Sequence, residues 1–370
     1  MTLCISTDHH LLVTRNDGTT PSSRKRLQLA METAARNILV RASELVPNPV
    51  HVSGGDMFDK YTNDEVGLAR TMSIIAGFSY LLEGNHDVQN VKDSCSSLKF
   101  LTDILAQIPR LPGQDSVTRL ATQFGECGVE NFTHEDIVMY AIPHVANQEL
   151  FEQALDQAAS EAGSRALMQN QKTVLLLHCN YDSPFTNETS LNLTTERARD
   201  LLQTFAYVLI GHDHTPKQEF GGRLVVMGNT HPTCFGDISD KFFYWFENGE
   251  LKKEQIYNAA EKHIELPWTQ IGAALEDGRL ANRDFIRIVG KAMPADLLEI
   301  SKGMKNIWLA CPNLLAMKQS VELVTLSANV QGGKVNIEKL QVHIERELDA
   351  KNPELANLFR ELALATEQGA

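Results

Sequence analysis

Short apolar runs alternate with longer amphipathic stretches through the first two thirds of the chain. The short runs are bounded by turn residues and predict strands, whereas the longer stretches carry apolar residues at helical spacing. The predicted strands are Leu3–Ser6, Pro49–Ser53, Phe78–Leu82, Asp136–Ile142, Thr173–His178, Tyr207–Ile210, Arg223–Met227 and Phe242–Phe246. The predicted helices are Ser23–Glu44, Asp64–Ile75, Ser94–Ile108, Glu149–Gly163 and Thr194–Phe205. This alternation indicates a layered α/β domain whose chemistry lies on loops at strand ends.

The pattern changes near residue 265, so three segments are expected: 1–265, 266–333 and 334–370. The middle segment reads as a small α/β unit. Its predicted elements are a strand at Asp284–Val289, a helix at Ala295–Lys302 and a strand at Asn306–Ala310.

The last segment follows Gly332-Gly333 and predicts two helices, Val335–Leu348 and Pro353–Leu364. The second helix has an apolar stripe along one face. The stripe consists of Leu355, Leu358, Phe359, Leu362 and Ala363. Packing onto its own domain and docking onto a partner protein both explain such a stripe.

Composition excludes several classes of protein. The chain has 370 residues, 43% of them hydrophobic, and no apolar run approaches the roughly 18 residues of a membrane span, so we expect a soluble globular protein. The N-terminus lacks a secretory signal, which predicts a cytoplasmic location. Six cysteines without a C-x-x-C pair favour reduced thiols. The formal charge of −13 argues against a broad basic surface for nucleic acid.

Five polar clusters lie at or just after predicted strand ends. They are Asp8-His9-His10, Gly54-Gly55-Asp56-Met57-Phe58-Asp59, Gly84-Asn85-His86-Asp87, His178 and Gly211-His212-Asp213-His214. Carboxylate, imidazole and amide donors without thiolate suit Mn²⁺, Fe²⁺ or Zn²⁺ rather than Ca²⁺. Two such ions about 3.5–4 Å apart, bridged by a carboxylate, activate water and stabilise charge on a phosphate ester. The clusters therefore predict two-metal phosphoester hydrolysis.

The motifs D-x-H, G-D-x-x-D, G-N-H-D, a lone His and G-H-x-H, in this order, resemble the calcineurin-like metallophosphoesterase superfamily. The resemblance implies two β-sheets flanked by helices, two divalent ions, with Mn²⁺ favoured, and a specific ligand set. One metal is expected at Asp8, His10, Asp56 and His214, and the other at Asp56, Asn85, His178 and His212. Asp56 is then the bridge, His86 the proton donor or transition-state stabiliser, and Asp59 the residue that orients His86.

Neighbouring residues compete for some of these roles. His9 should point away from the ligands because side chains alternate along a strand. Asp87 either orients His86 in place of Asp59 or caps the next segment, and Asp213 is expected to be structural. The loop residues His144 and His231 are candidates for contact with substrate.

The layout of the three segments, with the stretch from Arg283 to Ile288, resembles the SbcD-type nuclease subunit of double-strand-break repair nucleases in its bacterial or phage form. That resemblance implies a DNA endonuclease and exonuclease, residues 266–333 as a cap, an SbcC-type ABC ATPase bound by residues 334–370, and a homodimer. A phage-encoded chain would act in the host cytoplasm. Asp59 stands where archaeal and eukaryotic members of this branch usually carry His, which places the chain apart from them.

Two alternatives remain open. The first is a nucleotide phosphodiesterase or phosphatase of the same superfamily, with residues 266–370 as a lid or dimerisation unit. The second is a non-catalytic scaffold, although all candidate ligands and His86 are present. No P-loop motif occurs, so any ATP dependence has to come from another chain.

Overall fold

The computed structural model describes residues 2–14, 25–88, 95–107, 117–121, 128–169, 171–184 and 190–324. The two helices predicted beyond Gly333 lie outside these residues. Among the described helices, none combines the length and the apolar character needed to cross a bilayer.

The first of two large sheets combines four strands from residues 2–120 with two strands from residues 241–257. Its strands are β1 (Thr2–Ser6), β2 (Pro49–Ser53), β3 (Tyr80–Leu82), β4 (Thr118–Leu120), β12 (Lys241–Glu247) and β13 (Glu250–Tyr257). They are ordered β13-β12-β1-β2-β3-β4. Strands β1 to β4 are parallel, and β12 joins β1 antiparallel. The polar clusters after β1, β2 and β3 therefore leave the sheet at the same edge.

The second large sheet is built from the middle of the chain. Its strands are β5 (Glu130–His134), β6 (Ile137–Ile142), β7 (Lys172–Tyr181), β9 (Tyr207–His212), β10 (Lys217–Glu219) and β11 (Leu224–Val226), and the short β8 (Asn192–Leu193) pairs with the end of β7. Their order is β10-β11-β9-β7-β6-β5. Strands β6, β7, β9 and β11 are parallel. Their carboxyl ends again share one edge.

The two sheets pack face to face through alternate residues of their strands. Leu3 and Ile5 of β1 lie in the same buried cluster as Val174 and Leu176 of β7 and Leu209 of β9. The intervening residues point to the outer faces, which is the period of two expected of a pleated strand. Burial of this inner layer fixes the register of each sheet, and with it the position of the residues at strand ends.

Helices cover both outer faces of the sandwich. The first sheet carries α1 (Arg26–Leu45), α2 (Glu65–Ile75) and α3 (Ser97–Gln107), and the second carries α4 (Gln148–Gln169) and α5 (Thr195–Leu201). Asp64 caps α2 by accepting from the Gly67 amide, and Thr194 caps α5 by accepting from the Arg197 amide. The predicted arrangement of two sheets flanked by helices is confirmed.

A third, three-stranded sheet follows the sandwich. It contains β14 (His263–Pro267), β15 (Phe285–Ala292) and β16 (Ala316–Leu323), with α6 (Ala259–Lys262), α7 (Ile271–Glu276) and α8 (Leu297–Ala310). The prediction of a strand at Asn306–Ala310 is wrong, because these residues are the last turns of α8. Ile300, Ile307 and Trp308 are buried at helical spacing, and a short apolar run does not separate this pattern from a strand.

The described residues up to Glu322 form one compact unit that includes the sandwich and nearly all of the third sheet. The expected boundaries after residues 265 and 333 stay predictions.

Candidate metal centre

All five predicted clusters meet at the carboxyl edge of the parallel strands. Asp8 and His10 follow β1, Asp56 follows β2, and His178 and His212 belong to β7 and β9. Backbone hydrogen bonds hold the first two loops together. The amides of Asp8 and His10 each donate, at 3.0 Å, to the carbonyls of Gly55 and Asp56. The edge of the sandwich thus places chemistry-bearing side chains from distant parts of the sequence side by side.

Four residues of this edge adopt left-handed backbone conformations. Asp8, His10, Asp56 and His212 have φ values of 54°, 42°, 48° and 89°. Such conformations cost about 1–3 kcal/mol each outside glycine and persist where the surroundings hold them in place. Their clustering at one sheet edge points to a functional constraint.

The carboxylate of Asp56 lies at the centre of the site. Its Oδ1 atom is 3.2 Å from Nε2 of His178, while its Oδ2 atom is 3.9 Å from Nε2 of both His10 and His86. The two oxygens therefore face different sets of donors. Burial alone would raise the pKa of Asp56, but the nearby histidines outweigh it and hold that pKa well below the usual range. This carboxyl group is an anion suited to bridging two cations.

One donor set contains Asp8, His10 and His214, whose candidate ligand atoms lie within 4.8 Å of one another. Nε2 of His10 is 3.0 Å from Nε2 of His214 and 3.9 Å from Oδ1 of Asp8. The Asp8 carboxylate also accepts from the Thr7 hydroxyl at 2.6 Å and from the His212 amide. These contacts fix its orientation toward the two imidazoles.

The second donor set contains Asp56, His178 and His212, again within 4.8 Å. The Oδ1 atom of Asn85 joins them, 3.1 Å from Nε2 of His178 and 2.9 Å from Nδ1 of His212. With its hydrogen on Nδ1, the His178 ring donates to the Gly54 carbonyl at 2.9 Å. Burial lowers the pKa of His178, but the Asp56 carboxylate outweighs it and raises that pKa to about 10, so Nε2 also carries a hydrogen, which faces the oxygens of Asp56 and Asn85. A bound cation would replace this hydrogen and find three acceptors converging on one point.

His86 belongs to a third group with His10 and Asp59. Nδ1 of His86 lies 2.7 Å from the backbone carbonyl of Asp59, whereas the Asp59 carboxylate is 3.7 Å from Nδ1 of His10. Asp59 therefore contacts His86 through its main chain and faces His10 with its side chain. Burial lowers the pKa of His86, but the Asp56 carboxylate and the Asp59 carbonyl outweigh it and raise that pKa overall.

Glycines make the close approach of these loops feasible. A Cβ atom on Gly84 would overlap the carboxylate and amide of Asp56, and one on Gly55 would overlap the His178 ring. Gly55 also has a φ of 110°, which favours glycine. The glycines of the G-D-x-x-D and G-N-H-D motifs thus leave room for candidate ligands from other loops, Asp56 beside Gly84 and His178 beside Gly55.

The neighbouring polar residues occupy separate positions. Asp87 is fully buried and accepts from the amides of Met57, Phe58 and Gly84, so it joins two loops of the site. His9 contacts the Ser6 hydroxyl at 3.1 Å and packs edge-on against Phe78.

The remaining candidates lie at the edges of the site. Asp213 accepts from the Tyr181 amide. The His144 amide donates to the Glu83 carbonyl, and burial lowers the pKa of its ring to about 4. His231 is buried, and its Nδ1 atom lies 2.9 Å from the Pro232 carbonyl.

A buried network behind His214 was not predicted from the sequence. The ammonium of Lys241, fully buried, pairs with Asp237 and donates to the His214 carbonyl at 3.0 Å. Oδ2 of Asp237 lies 3.9 Å from Nδ1 of His214 and accepts from Asn229 at 2.7 Å. Nothing in the sequence marks this network, because the burial of Lys241 is visible only in the structure.

No family model and no curated protein matches the chain. Solved structures that resemble it include NAD nucleotidase from Haemophilus influenzae, at 12% identity over 69% of this chain and 48% of that one, with a TM-score of 0.36. A 5'-nucleotidase precursor from Thermus thermophilus matches at 15% identity over 70% and 54%, with a TM-score of 0.36.

A purple acid phosphatase from yellow lupin (Lupinus luteus) seeds matches at 13% identity over 69% and 51%, with a TM-score of 0.39. The chain spans about half the length of these three proteins. At such identities and TM-scores the similarity says nothing about substrate.

Proposed function

We propose that the chain is a two-metal phosphoester hydrolase of the calcineurin-like metallophosphoesterase superfamily. One observation carries this proposal: the two carboxylate oxygens of Asp56 face two separate donor sets, each with histidines and a carboxylate or amide oxygen. The residues fit divalent ions, because Nε2 of His178 lies 3.1 Å from Oδ1 of Asn85 and 3.2 Å from Oδ1 of Asp56, a mixed set of three donor atoms that one cation can share.

Asp8, His10, Asp56 and His214 would hold one ion, and Asp56, Asn85, His178 and His212 the other. Bound divalent ions at such a site supply Lewis-acid stabilisation of a phosphoryl group and a nucleophile at neutral pH. Mn²⁺ is the ion we propose, since oxygen and imidazole donors are mixed and thiolate is absent from the set.

In our proposal, His86 is the residue that transfers a proton to the substrate. Its side chain is 40% exposed, so it reaches a bound ester, and the Asp59 carbonyl fixes the hydrogen on Nδ1. A protonated ring, favoured by the nearby Asp56 carboxylate, donates to the leaving oxygen from Nε2. Asp59 is the positioning residue, acting on His86 through its carbonyl.

At the finer level we propose a DNA endonuclease and exonuclease subunit of the SbcD type. The motif order and the small α/β unit that follows the sandwich support it. In this proposal residues 1–265 are the nuclease domain, 266–333 a cap and 334–370 the helices that bind an SbcC-type ABC ATPase. The subunit would act as a homodimer in the cytoplasm. The charge of −13 is consistent with a subunit that leaves much of the DNA grip to its partner.

A nucleotide phosphodiesterase or phosphatase of the same superfamily fits the site equally well. The metal ligands and His86 act on the phosphoryl group alone, so they do not distinguish a polymer from a small ester. The same acidic charge is consistent with a small-molecule substrate.

Cleavage of closed circular single-stranded DNA with Mn²⁺ separates these two functions. We expect cutting by the wild type that disappears with EDTA and with His86→Ser. A chain that hydrolyses bis(p-nitrophenyl) phosphate but leaves circular DNA intact, with and without the ATPase, would support the phosphodiesterase function instead. A chain that hydrolyses neither ester would contradict the whole proposal.

The ATPase proposal has its own test. Truncation after Gly333 should preserve hydrolysis of bis(p-nitrophenyl) phosphate and remove association with the ATPase in a pull-down experiment. Unchanged association of the truncated chain would overturn the assignment of residues 334–370.

A further inference from the structure

A cavity lies beside the loop that contacts His214 of the candidate metal centre. It has a volume of about 490 Å³ and lies between the loop that precedes β12 and the start of the third sheet. Its wall includes Phe235, Ile238, Asp240, His263, Glu265 and Arg287. This volume is in the range of small-molecule sites, about 300–1,000 Å³.

The wall of the cavity and the support of the metal centre are parts of one loop. The Thr233 hydroxyl lies 3.5 Å from Nδ1 of His214, and Asp237 lies 3.9 Å from the same atom. Phe235 and Ile238, on the cavity wall, alternate with these two residues along the chain. Phe235 is two residues from both Thr233 and Asp237, and two residues span at most about 7 Å. The cavity wall therefore begins within roughly the length of one nucleotide from the residues that contact His214.

The cavity offers a flat aromatic and cationic lining. The Arg287 guanidinium lies 4.9 Å from the ring centroid of Phe235 and pairs with Glu265 at 3.0 Å. The ring of Phe235 also meets that of His263 edge-on, with centroids 6.1 Å apart. Ile238 adds an apolar side chain that is 63% exposed. Aromatic faces and guanidinium planes are the groups on which nucleobases stack.

His263 also lines the cavity, and it carries unsatisfied polar atoms. Both ring nitrogens are buried and have no hydrogen-bond partner among the described residues, while the ring stacks on Phe285 at 4.5 Å. Burial lowers the pKa of His263 to about 4, so the ring is neutral and offers one donor and one acceptor. A nucleobase edge presents the complementary acceptor and donor.

We infer that this cavity binds a nucleobase of the substrate whose phosphate lies at the metal centre. The inference rests on the proposed phosphoester hydrolysis and extends it by assigning a binding site to the base of the substrate. Phe235 and Arg287 hold the face of the base, and His263 recognises its edge. The base belongs either to the cleaved nucleotide or to its neighbour in a strand.

The test is binding of 2′-deoxyadenosine, which lacks phosphate, to the full chain with Mn²⁺, measured by equilibrium dialysis. Phe235→Leu keeps an apolar side chain but loses the aromatic face, and Ala260→Trp fills the cavity from an exposed lining position. Ala281→Trp, at another exposed alanine outside the lining, is the matched control. Thermal unfolding verifies that each variant folds.

We expect the wild type and Ala281→Trp to bind deoxyadenosine alike, and both cavity variants to bind it about tenfold more weakly. 2-Deoxyribose 5-phosphate, which has no base, should not distinguish the four proteins. Equal binding of deoxyadenosine by all four, or no binding by any, would overturn the inference.

Hydrolysis of bis(p-nitrophenyl) phosphate by the wild type distinguishes failure of the base site from failure of the phosphoesterase proposal. If this diester is hydrolysed while deoxyadenosine does not bind, the phosphoesterase proposal stands and the base site fails. If deoxyadenosine binds as expected but the diester is not hydrolysed, the base site stands and the phosphoesterase proposal fails.

A kinetic comparison then identifies whether the bound base belongs to the cleaved nucleotide or to its neighbour in a strand. A raised KM of Phe235→Leu for both the p-nitrophenyl ester of thymidine 5′-phosphate and a single-stranded oligonucleotide would assign the base to the cleaved nucleotide. A raised KM for the oligonucleotide alone would assign it to the neighbouring nucleotide in a strand. An unchanged KM for both substrates would overturn the inference.

Discussion

The Nε2 atoms of His10 and His214 lie 3.0 Å apart, although 204 residues separate the two histidines in the chain. Burial lowers the pKa of His10 to about 4, so its ring is neutral near pH 7. The two Nε2 atoms can share one hydrogen, or both can direct lone pairs at one cation. The carboxylate of Asp8, 3.9 Å from Nε2 of His10, favours the cation.

Replacing Asp56 with Asn should remove metal from both donor sets. The side chain would keep its shape but lose the negative charge that faces both sets. We expect about two Mn²⁺ per wild-type chain and fewer than one in the variant, measured by inductively coupled plasma mass spectrometry after dialysis. Asp213→Asn is the matched control, because that carboxylate accepts from the Tyr181 amide. Two retained ions in Asp56→Asn would refute the bridge.

Replacing His86 with Ala should abolish turnover without depleting metal. The ring is half exposed and lies beside the donor sets, with Nε2 3.9 Å from Asp56 Oδ2. Loss of a general acid typically lowers kcat by about 10²–10⁴-fold. Hydrolysis of bis(p-nitrophenyl) phosphate and metal content should be measured on the same sample. A parallel loss of metal would make His86 a ligand.

Gly84→Ala should weaken metal binding although no ligand is changed. The added Cβ overlaps the carboxylate and amide of Asp56, so that side chain must move. Gly163→Ala is the matched control, since nothing described lies within 4 Å of its Cβ, and in helix α4 it should stabilise the fold by about 0.5–1 kcal/mol. Isothermal titration calorimetry with Mn²⁺ measures the metal affinity of the two variants. Equal Mn²⁺ affinities in both variants would contradict the prediction.

His51→Phe should make the fold less sensitive to acid. Burial lowers the pKa of His51 to about 4, whereas an unfolded histidine titrates near 6.5. Between these pH values the unfolded chain binds the extra proton, so this contribution to stability is complete above 6.5 and is lost as the pH falls toward 4. The substitution removes this contribution and should reduce the slope of the unfolding free energy against pH by up to about 1.4 kcal/mol per pH unit.

Urea unfolding of both proteins in EDTA, from pH 4.5 to 8, tests this slope. EDTA removes metal from both proteins alike, so ligand protonation affects them equally. Above pH 7 the difference in unfolding free energy should be constant, which is an internal control. Parallel curves across the whole range would show that His51 does not contribute to acid sensitivity.

Much of the sandwich could be predicted because its strands are apolar and bounded by turns. β1, β2 and β6 lie close to their predicted positions, and the polar clusters follow them as expected. Strand β13 was missed because its sequence, ELKKEQIY, alternates charged residues with few apolar ones at the sheet edge. The end of α8 was predicted as a strand because a short apolar run fits both periods.

The sequence named residues that the structure brings close together, but it did not predict the contacts among them. Asp59 was expected to orient His86, and only the structure shows that the contact is made by its main-chain carbonyl. The pair of Lys241 and Asp237 behind His214 gave no sequence signal, because a lysine near a strand start is usually exposed.

The sequence by itself determined the donor types and their places at strand ends, since local alternation and turn residues encode both. Only the tertiary structure decided that Asp56 presents one oxygen to each donor set and that Phe235, His263 and Arg287 form one wall. The physical reason is distance along the chain. These contacts join residues brought together by the packing of sheets and loops, and local periodicity carries no information about that packing.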